Sequence, residues 1–330
     1  MTIKNSQILE KYHHIFNYYL SKNAFNEAPS ELYEPVNYIL HLGGKRLRPL
    51  LVLMGTHLFD DNIEKALPAA FAVEVFHNFT LLHDDIMDEA PLRRGKPTVH
   101  ARFGTNTGIL SGDVMVIYAY HFLNKIEPND LKSKLFTIFN KMAIEVCEGQ
   151  QYDMNFERRD DVTLEEYIRM IELKTSVLIA AAFQMGALIG GASDEDSFHL
   201  YEFGRNFGIA FQIQDDILDT FGDPEKFGKK VGGDIIQNKK TYLVLKSYEL
   251  ANPSQRMDLR QLMTTPTEDE TVKIETVRGI FKELDVLNFA QSAMYQFLEK
   301  SFNALESTPL SIERKNELKE WANDLMLRQI

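Results

Sequence analysis

Three aspartates, Asp84, Asp85 and Asp88, close an apolar run within the stretch 79–100, and Arg93, Arg94 and Lys96 follow a turn near Pro91. Helical residues four apart stack on one face, about 6 Å from each other. Asp84 and Asp88 therefore project together, and Asp85 points to the flank. Two carboxylates that close repel unless a cation sits between them. A lone Asp-Asp-x-x-Asp reads as a solvated acidic helix end. Here it has an echo, Asp215, Asp216 and Asp219, again on an apolar stretch and again followed by glycine and lysine. Surface decoration does not account for two such motifs. Carboxylates without a cysteine or histidine ligand pattern suit hard divalent cations. Oxygen ligands select Mg²⁺, which shares its octahedral shell with phosphate and water.

Basic residues are set among glycines elsewhere. In Gly43-Gly44-Lys45-Arg46-Leu47-Arg48-Pro49 two glycines admit close backbone approach and a helix start offers N–H groups to an anion, or else the stretch is a helix-linking turn with solvated lysine and arginine. Adjacent Arg93 and Arg94 cannot face one point, so each serves a different anion or else neutralises the aspartates; the arginine fork suits phosphate oxygens. His77 lies two turns below Asp84, either as a core histidine or as a donor to phosphate, whereas His83 is angled away and reads as structural. Gln150 and Asp153 stand one turn apart, bracing a site or a helix end. Lys174, with Thr175, enters an apolar helix, where a lysine is costly unless it is paired or binds an anion. Lys226, Lys229, Lys230, Lys239 and Lys240, interleaved with Gly228, Gly232 and Gly233, read as a flap over phosphates or a solvated loop.

The elements that must carry these groups are helices. Apolar residues recur at three- and four-residue spacing, with no convincing strand alternation. Helices are expected near 4–22, 29–42, 47–59, 63–89, 106–125, 130–156, 163–191, 195–221, 240–250, 255–264, 270–305 and 310–328. Thr308-Pro309 reads as a cap followed by proline at the first helical position. No linker rich in Pro, Gly or Ser divides the 330 residues, so one all-α domain over 1–330 is expected, with the two aspartate helices central. A net charge of −12 argues against a nucleic-acid binder. A single cysteine, Cys147, excludes an internal disulfide and fits a reducing compartment. The N-terminus lacks a signal-peptide pattern, and the uncharged run 176–192 reads as a buried core helix rather than a membrane span. A cytoplasmic location is the expectation. The absence of Gly-x-x-x-x-Gly-Lys-Ser/Thr and of a parallel-sheet pattern argues against a P-loop nucleotide enzyme. A diphosphate held between two aspartate clusters among apolar helices suggests chemistry on an apolar diphosphate.

From about Gly43 to Leu243 the chain resembles the trans-isoprenyl diphosphate synthases, which include farnesyl and geranylgeranyl diphosphate synthases. Gly-Gly-Lys-Arg-Leu-Arg-Pro, Asp-Asp-Ile-Met-Asp with Arg-Arg-Gly-Lys-Pro, Gly-Gln-x-x-Asp, Lys-Thr, and Gln-Asp-Asp-Ile-Leu-Asp with Gly-Lys and Gly-Gly-Asp carry the resemblance. It implies a single-domain helical bundle around a central cavity, a homodimer, and condensation of isopentenyl diphosphate with allylic diphosphates. By the same resemblance, Asp84, Asp88 and Asp215 bind three Mg²⁺, supported by Asp85, Asp216 and Asp219. Arg93, Lys174, Lys229 and Lys239 contact the allylic diphosphate, with Thr175 and Gln212 beside the reacting carbons. Gly44, Lys45, Arg48, His77 and Arg94 serve isopentenyl diphosphate. Two departures stand out: only Arg328 is basic near the C-terminus, so tail closure over the site is in doubt, and the extra residue at Lys229-Lys230 leaves open which lysine reaches phosphate.

Product length has a ruler in the helix below Asp84, which rises about 1.5 Å per residue. Thr80 lets a chain pass, whereas Phe79 on the flank and Phe76, about 12 Å down, are bulky. A stop after three or four isoprene units follows. By the family resemblance, an aromatic at Phe79 without an insertion in the first aspartate motif is similar to geranylgeranyl synthases and implies C20, with C15 the alternative. Otherwise both rings pack the core and another helix sets the length. An intact second motif argues against a terpene cyclase, and the retained aspartates and basic anchors argue against a non-catalytic regulatory subunit.

Overall fold

The apolar periodicities become helices throughout the residues that the computed structural model describes, 3–223, 231–264 and 269–327. In order these are α1 (Ile3–Lys22), α2 (Ser30–Leu40), α3 (Leu47–His57), α4 (Leu67–Met87), α5 (Val99–Phe103), α6 (Thr105–Leu123), α7 (Asn129–Phe156), α8 (Leu164–Ile171), α9 (Val177–Gly190) and α10 (Asp194–Phe221). After them come α11 (Gly233–Ile236), α12 (Tyr242–Leu250), α13 (Pro253–Leu262), α14 (Glu270–Glu283), α15 (Val286–Glu306) and α16 (Ile312–Leu327). Two-residue strands, β1 (Leu92–Arg93) and β2 (Lys96–Pro97), pair antiparallel. They are too short to show alternation, which is why the periodicity gave no strand.

Several expected boundaries move for physical reasons. The expected 163–191 helix is interrupted by a π turn at Glu172–Ser176, between α8 and α9. The expected 270–305 helix breaks at Asp285, which takes a left-handed conformation (φ 56°) that aspartate tolerates without a glycine to announce it. Thr308 does not cap α16. Its hydroxyl donates back to Leu305 O (2.7 Å), and Ser311 Oγ accepts from Arg314 N–H (3.4 Å) one residue before the helix. At α13 the expected start gains a full capping box, Asn252 with Gln255, and proline in the first turn.

The chain divides into two compact units, Met1–Lys141 with Ala181–Tyr201, and Met142–Ala180 with Glu202–Ile330. The division points fall inside α7, α9 and α10, so no linker segment marks them in the sequence. In the first unit α4 is buried for most of its length, and Phe71 meets Phe122 edge-on with ring centroids 4.5 Å apart. In the second, Phe203 and Phe207 of α10 stack, and Phe207 packs on Trp321 of α16 at 5.0 Å. The segment Leu164–Gly190 is long and apolar enough to cross a membrane, but 78% of its apolar window is buried inside the molecule. That is the pattern of a core helix, as the uncharged run suggested.

Candidate functional site

In the first unit, α4 delivers the first acid motif to its own C-terminal end, with Asp84 and Asp85 in the last turn and Asp88 as the C-cap. Glu89 is left-handed (φ 49°), Glu89 N–H donates to Ile86 O (3.3 Å), and Ala90 N–H donates to Asp85 O (3.0 Å). These are the paired bonds of a Schellman ending. The chain then doubles back as the β1–β2 hairpin. Its loop, Arg94-Gly95, has positive φ at both residues (54° and 74°), as a type I′ turn requires. The hairpin returns Arg93 to the helix, where Nε and Nη2 donate to the two carboxylate oxygens of Asp85, each at 2.8 Å. Asp85 is buried and neutralised by that fork, while Asp84 is half-buried and Asp88 exposed.

A cationic cluster stands at the start of α3 in the same unit. Gly44 is required by its backbone (φ 122°), and a Cβ there would also displace the Arg94 guanidinium, 2.6 Å away, which donates to Gly43 O. Arg46, left-handed at φ 49°, is buried and donates to Glu74 and to Leu40 O, and Asn78 also donates to Glu74 (2.8 Å). Arg48 Nη1 donates to His77 Nε2 (3.1 Å), so that nitrogen accepts and the ring proton sits on Nδ1. Burial, followed by Arg48, Arg94, Arg93 and Arg46, holds His77 well below the usual imidazole range. Burial draws Arg48 down to about 10, against the pull of Glu74. Arg48 Nε is buried with no acceptor among the described residues. Of the four arginines around the neutral histidine, Arg46 is balanced by buried Glu74 and Arg93 by buried Asp85, which leaves the charge of Arg48 and Arg94 to make a site for an anion.

The second unit presents its acid motif in the last two turns of α10. Asp216 is buried and is the hub: it accepts from Tyr167 Oη (2.5 Å), Tyr242 N–H (3.0 Å) and Gln212 Nε2 (3.4 Å). Burial lifts its carboxyl to about 7 in spite of those donors. Thr175 Oγ1 donates to Gln212 Oε1 (3.3 Å). Asp219 accepts from the backbone N–H of Asp234 (3.0 Å), and burial plus Asp216, Asp219 and Asp215 raise Asp234 to about 8. The π turn presents Lys174, whose Nζ donates to Asp153 Oδ2 (2.5 Å). Gly149 of α7 permits it, since a Cβ there would lie 2.2 Å from Lys174 N. Lys239 Nζ donates to Glu157 (3.2 Å).

The two motifs share a design. In each, the second aspartate is buried and tied down, by Arg93 in one and by Tyr167 and Tyr242 in the other, so the neighbouring carboxylates are aimed by a fixed anchor. Both motifs also sit at the negative end of a long helix, where carboxylates are disfavoured and a cation restores balance. All donors are carboxylate oxygens, the chemistry Mg²⁺ takes. Among the described residues no three acids or histidines gather into a metal cage by themselves. Mg²⁺ does not need one, because it is held by one or two carboxylates together with phosphate and water.

The sequence model of the polyprenyl synthetase family matches residues 29–280. The chain belongs to this family. It is 46% identical over 222 residues to the geranylgeranyl diphosphate synthase of Methanosarcina mazei, covering 67% of this chain and 68% of that relative. A crystal structure of a geranylgeranyl pyrophosphate synthase superposes with a TM-score of 0.93 at 46% identity, covering 98% of this chain and 99% of the other. The corresponding enzyme of Pyrococcus horikoshii superposes at 0.90 and 34% identity, with 98% of each chain covered. The resemblance read from the motifs and the all-α expectation both hold for this polyprenyl synthetase.

As for the individual residues, the first unit gathers Arg48, His77 and Arg94 with Arg93, whereas Lys45 is exposed and its carbonyl accepts from His13 (2.9 Å). In the second unit Lys174 pairs with Asp153, and Thr175, Gln212 and Asp216 form a separate hydrogen-bonded chain. His83 packs on Phe79 (4.7 Å) and over Gly112 of α6, a structural placement. Of the ruler residues, Phe76 is fully buried against Phe79 (5.5 Å) and Phe139 of α7 (5.2 Å), and Thr80 Oγ1 donates to His77 O (2.8 Å). Lys229, with Lys226, Gly228 and Lys230, lies outside the described residues, as does Arg328. Sequence reasoning missed Arg46, Glu74, Tyr167 and Asp234 as parts of the machinery. Asp234 was within reach, standing in the quoted Gly-Gly-Asp.

Proposed function

We propose that this polyprenyl synthetase is a short-chain trans-prenyltransferase that condenses isopentenyl diphosphate with allylic diphosphates and releases geranylgeranyl diphosphate, C20. The observation that carries the reading is the pair of acid motifs, each with its second aspartate locked and its outer carboxylates at a helix C-terminus. The relatives' names, geranylgeranyl synthases among them, support the product.

In this reading Asp84, Asp88 and Asp215 hold Mg²⁺, three ions in all. Bound there, the metal supplies Lewis acidity to the leaving diphosphate. Arg93, Lys174 and Lys239 offer fixed positive charge to the allylic diphosphate, the arrangement that stabilises charge as it develops. Arg48 and Arg94 bind the diphosphate of isopentenyl diphosphate, with Gly44 and Lys45 at its backbone approach. His77 offers Nδ1–H from a ring kept neutral by burial and by its arginine neighbours. Thr175 and Gln212, bonded to each other, line the reacting carbons. The apolar helices keep water from the allylic cation. Among the described residues no side chain is assigned as general base, and in this reading the released diphosphate takes the proton lost on elimination. Phe76 and Phe79 stop the growing chain.

A homodimer is part of the proposal. Its support is the α6 face on which Leu110 (59% exposed) and Ile117 (67% exposed) stand two turns apart beside Ile109, an aliphatic stripe that a second copy would cover.

The test is to incubate the protein with Mg²⁺, isopentenyl diphosphate and, separately, C5, C10 and C15 primers, and to size the dephosphorylated products by mass spectrometry. A dominant C20 alcohol is expected. A C15 stop would place the block nearer the diphosphates, and C30 or longer would overturn the Phe76/Phe79 ruler. Diphosphate binding with no elongation from any primer would point to a regulatory subunit.

A further inference from the structure

Lys273 is a lysine where none is needed for solubility: it lies on α14 with only 3% of its surface exposed. Burying an ammonium is costly unless its hydrogens find acceptors. Its Nζ donates to Asn238 Oδ1 at 2.6 Å. Asn238 is left-handed (φ 58°) at the end of α11. Its N–H donates to Ile235 O (3.2 Å), and Lys239 N–H donates to Asp234 O (2.9 Å). These two bonds are a Schellman ending with Asn238 at the residue just past the helix, a position that glycine usually fills. Glycine would satisfy the backbone there, but it would leave Lys273 without its acceptor. The asparagine is thus explained by its side chain.

The next residue of α14 holds the other end of the same turn. Gly232 (φ 89°) lies so close to Ile274 that a Cβ would fall 2.7 Å from its Cδ1. Lys273 and Ile274 therefore grip both ends of the 232–238 turn. One end carries Asp234, whose N–H caps Asp219 of the second acid motif, and the other leads directly into Lys239.

We propose that Lys273 is a positioning residue for Lys239. By fastening Asn238 it fixes the backbone that carries Lys239, whose Nζ here donates to Glu157 (3.2 Å) and which the proposed function assigns to the allylic diphosphate. The proposal rests on the reading of Lys239 as a diphosphate ligand, and the experiment separates the two.

Steady-state constants for an allylic diphosphate and for isopentenyl diphosphate would be measured at saturating Mg²⁺ for wild type, K239A, K273M, N238G and the K273M/N238G double variant, with thermal unfolding in parallel. K273M and N238G are each expected to raise KM for the allylic substrate about tenfold and leave KM for isopentenyl diphosphate within twofold. The double variant should be no worse than either single one, because both break one contact. N238G keeps the left-handed turn, so it reports on the contact even where K273M lowers the melting temperature. If K239A raises the allylic KM while N238G and K273M leave it within twofold, Lys273 is a core residue only, and the proposal fails while the reading of Lys239 stands. If K239A itself has no effect, both fail.

Discussion

Arg48 and His77 show how much one hydrogen bond decides at the residue scale. With Nε2 accepting from Arg48, His77 is neutral in the folded protein, whereas in the unfolded chain it takes a proton near pH 6.5. The unfolded state then binds more protons below that pH, so stability is lost as pH falls and is retained above it. Urea unfolding of wild type and H77Q between pH 7.5 and 5 should show the wild type losing stability relative to the variant as pH drops; parallel curves would contradict the assignment. Gly149 gives a second residue-scale expectation. A methyl group there meets the Lys174 backbone at 2.2 Å, which neither helix can absorb without shifting. Overpacking of this kind costs about 1–3 kcal/mol, and G149A should show that loss in denaturant unfolding together with a fall in kcat as Lys174 moves.

Elements were legible in the sequence where their signals were periodic or carried by glycine and proline. The aspartate helices α4 and α10 follow from apolar spacing and turn chemistry. The π turn at Glu172–Ser176 did not, because its signal is the smallness of Gly149 some 23 residues earlier, a tertiary contact without local trace. Left-handed Asp285, Glu89 and Arg46 escaped for a similar reason: none is a glycine, and each is held by its surroundings. Charged pairing was legible as residue type but not as partner. Arg93 was expected on phosphate or on an aspartate, and the hairpin puts it on Asp85. The ruler on α4 is testable at this scale. F79A should lengthen the product beyond C20 with modest loss of stability, since Phe79 is half-buried. F76A should lengthen it as well but cost about 3–5 kcal/mol, the price of a large cavity against Phe139. Unchanged products from both would assign length control to another helix.

For the whole molecule, the exposed stripe on α6 and the two acid motifs set the expectations. Under the proposed homodimer the wild type should sediment as a dimer, and an acidic substitution in the stripe, L110E with I117E, should leave a folded monomer. Equal sedimentation of the two would place the contact elsewhere or remove it. The proposed function has both acid motifs serving one metal-dependent ionisation, and the direct measurement is the rate of diphosphate release from an allylic primer plus isopentenyl diphosphate. It would be followed against Mg²⁺ concentration for wild type, D84N and D215N. Release should vanish with a chelator and return with Mg²⁺, and each variant should fall by about 10²–10³-fold or more, the scale of losing a preorganised charge at the reacting centre. Release that survives the chelator, or that either variant leaves intact, would contradict the account.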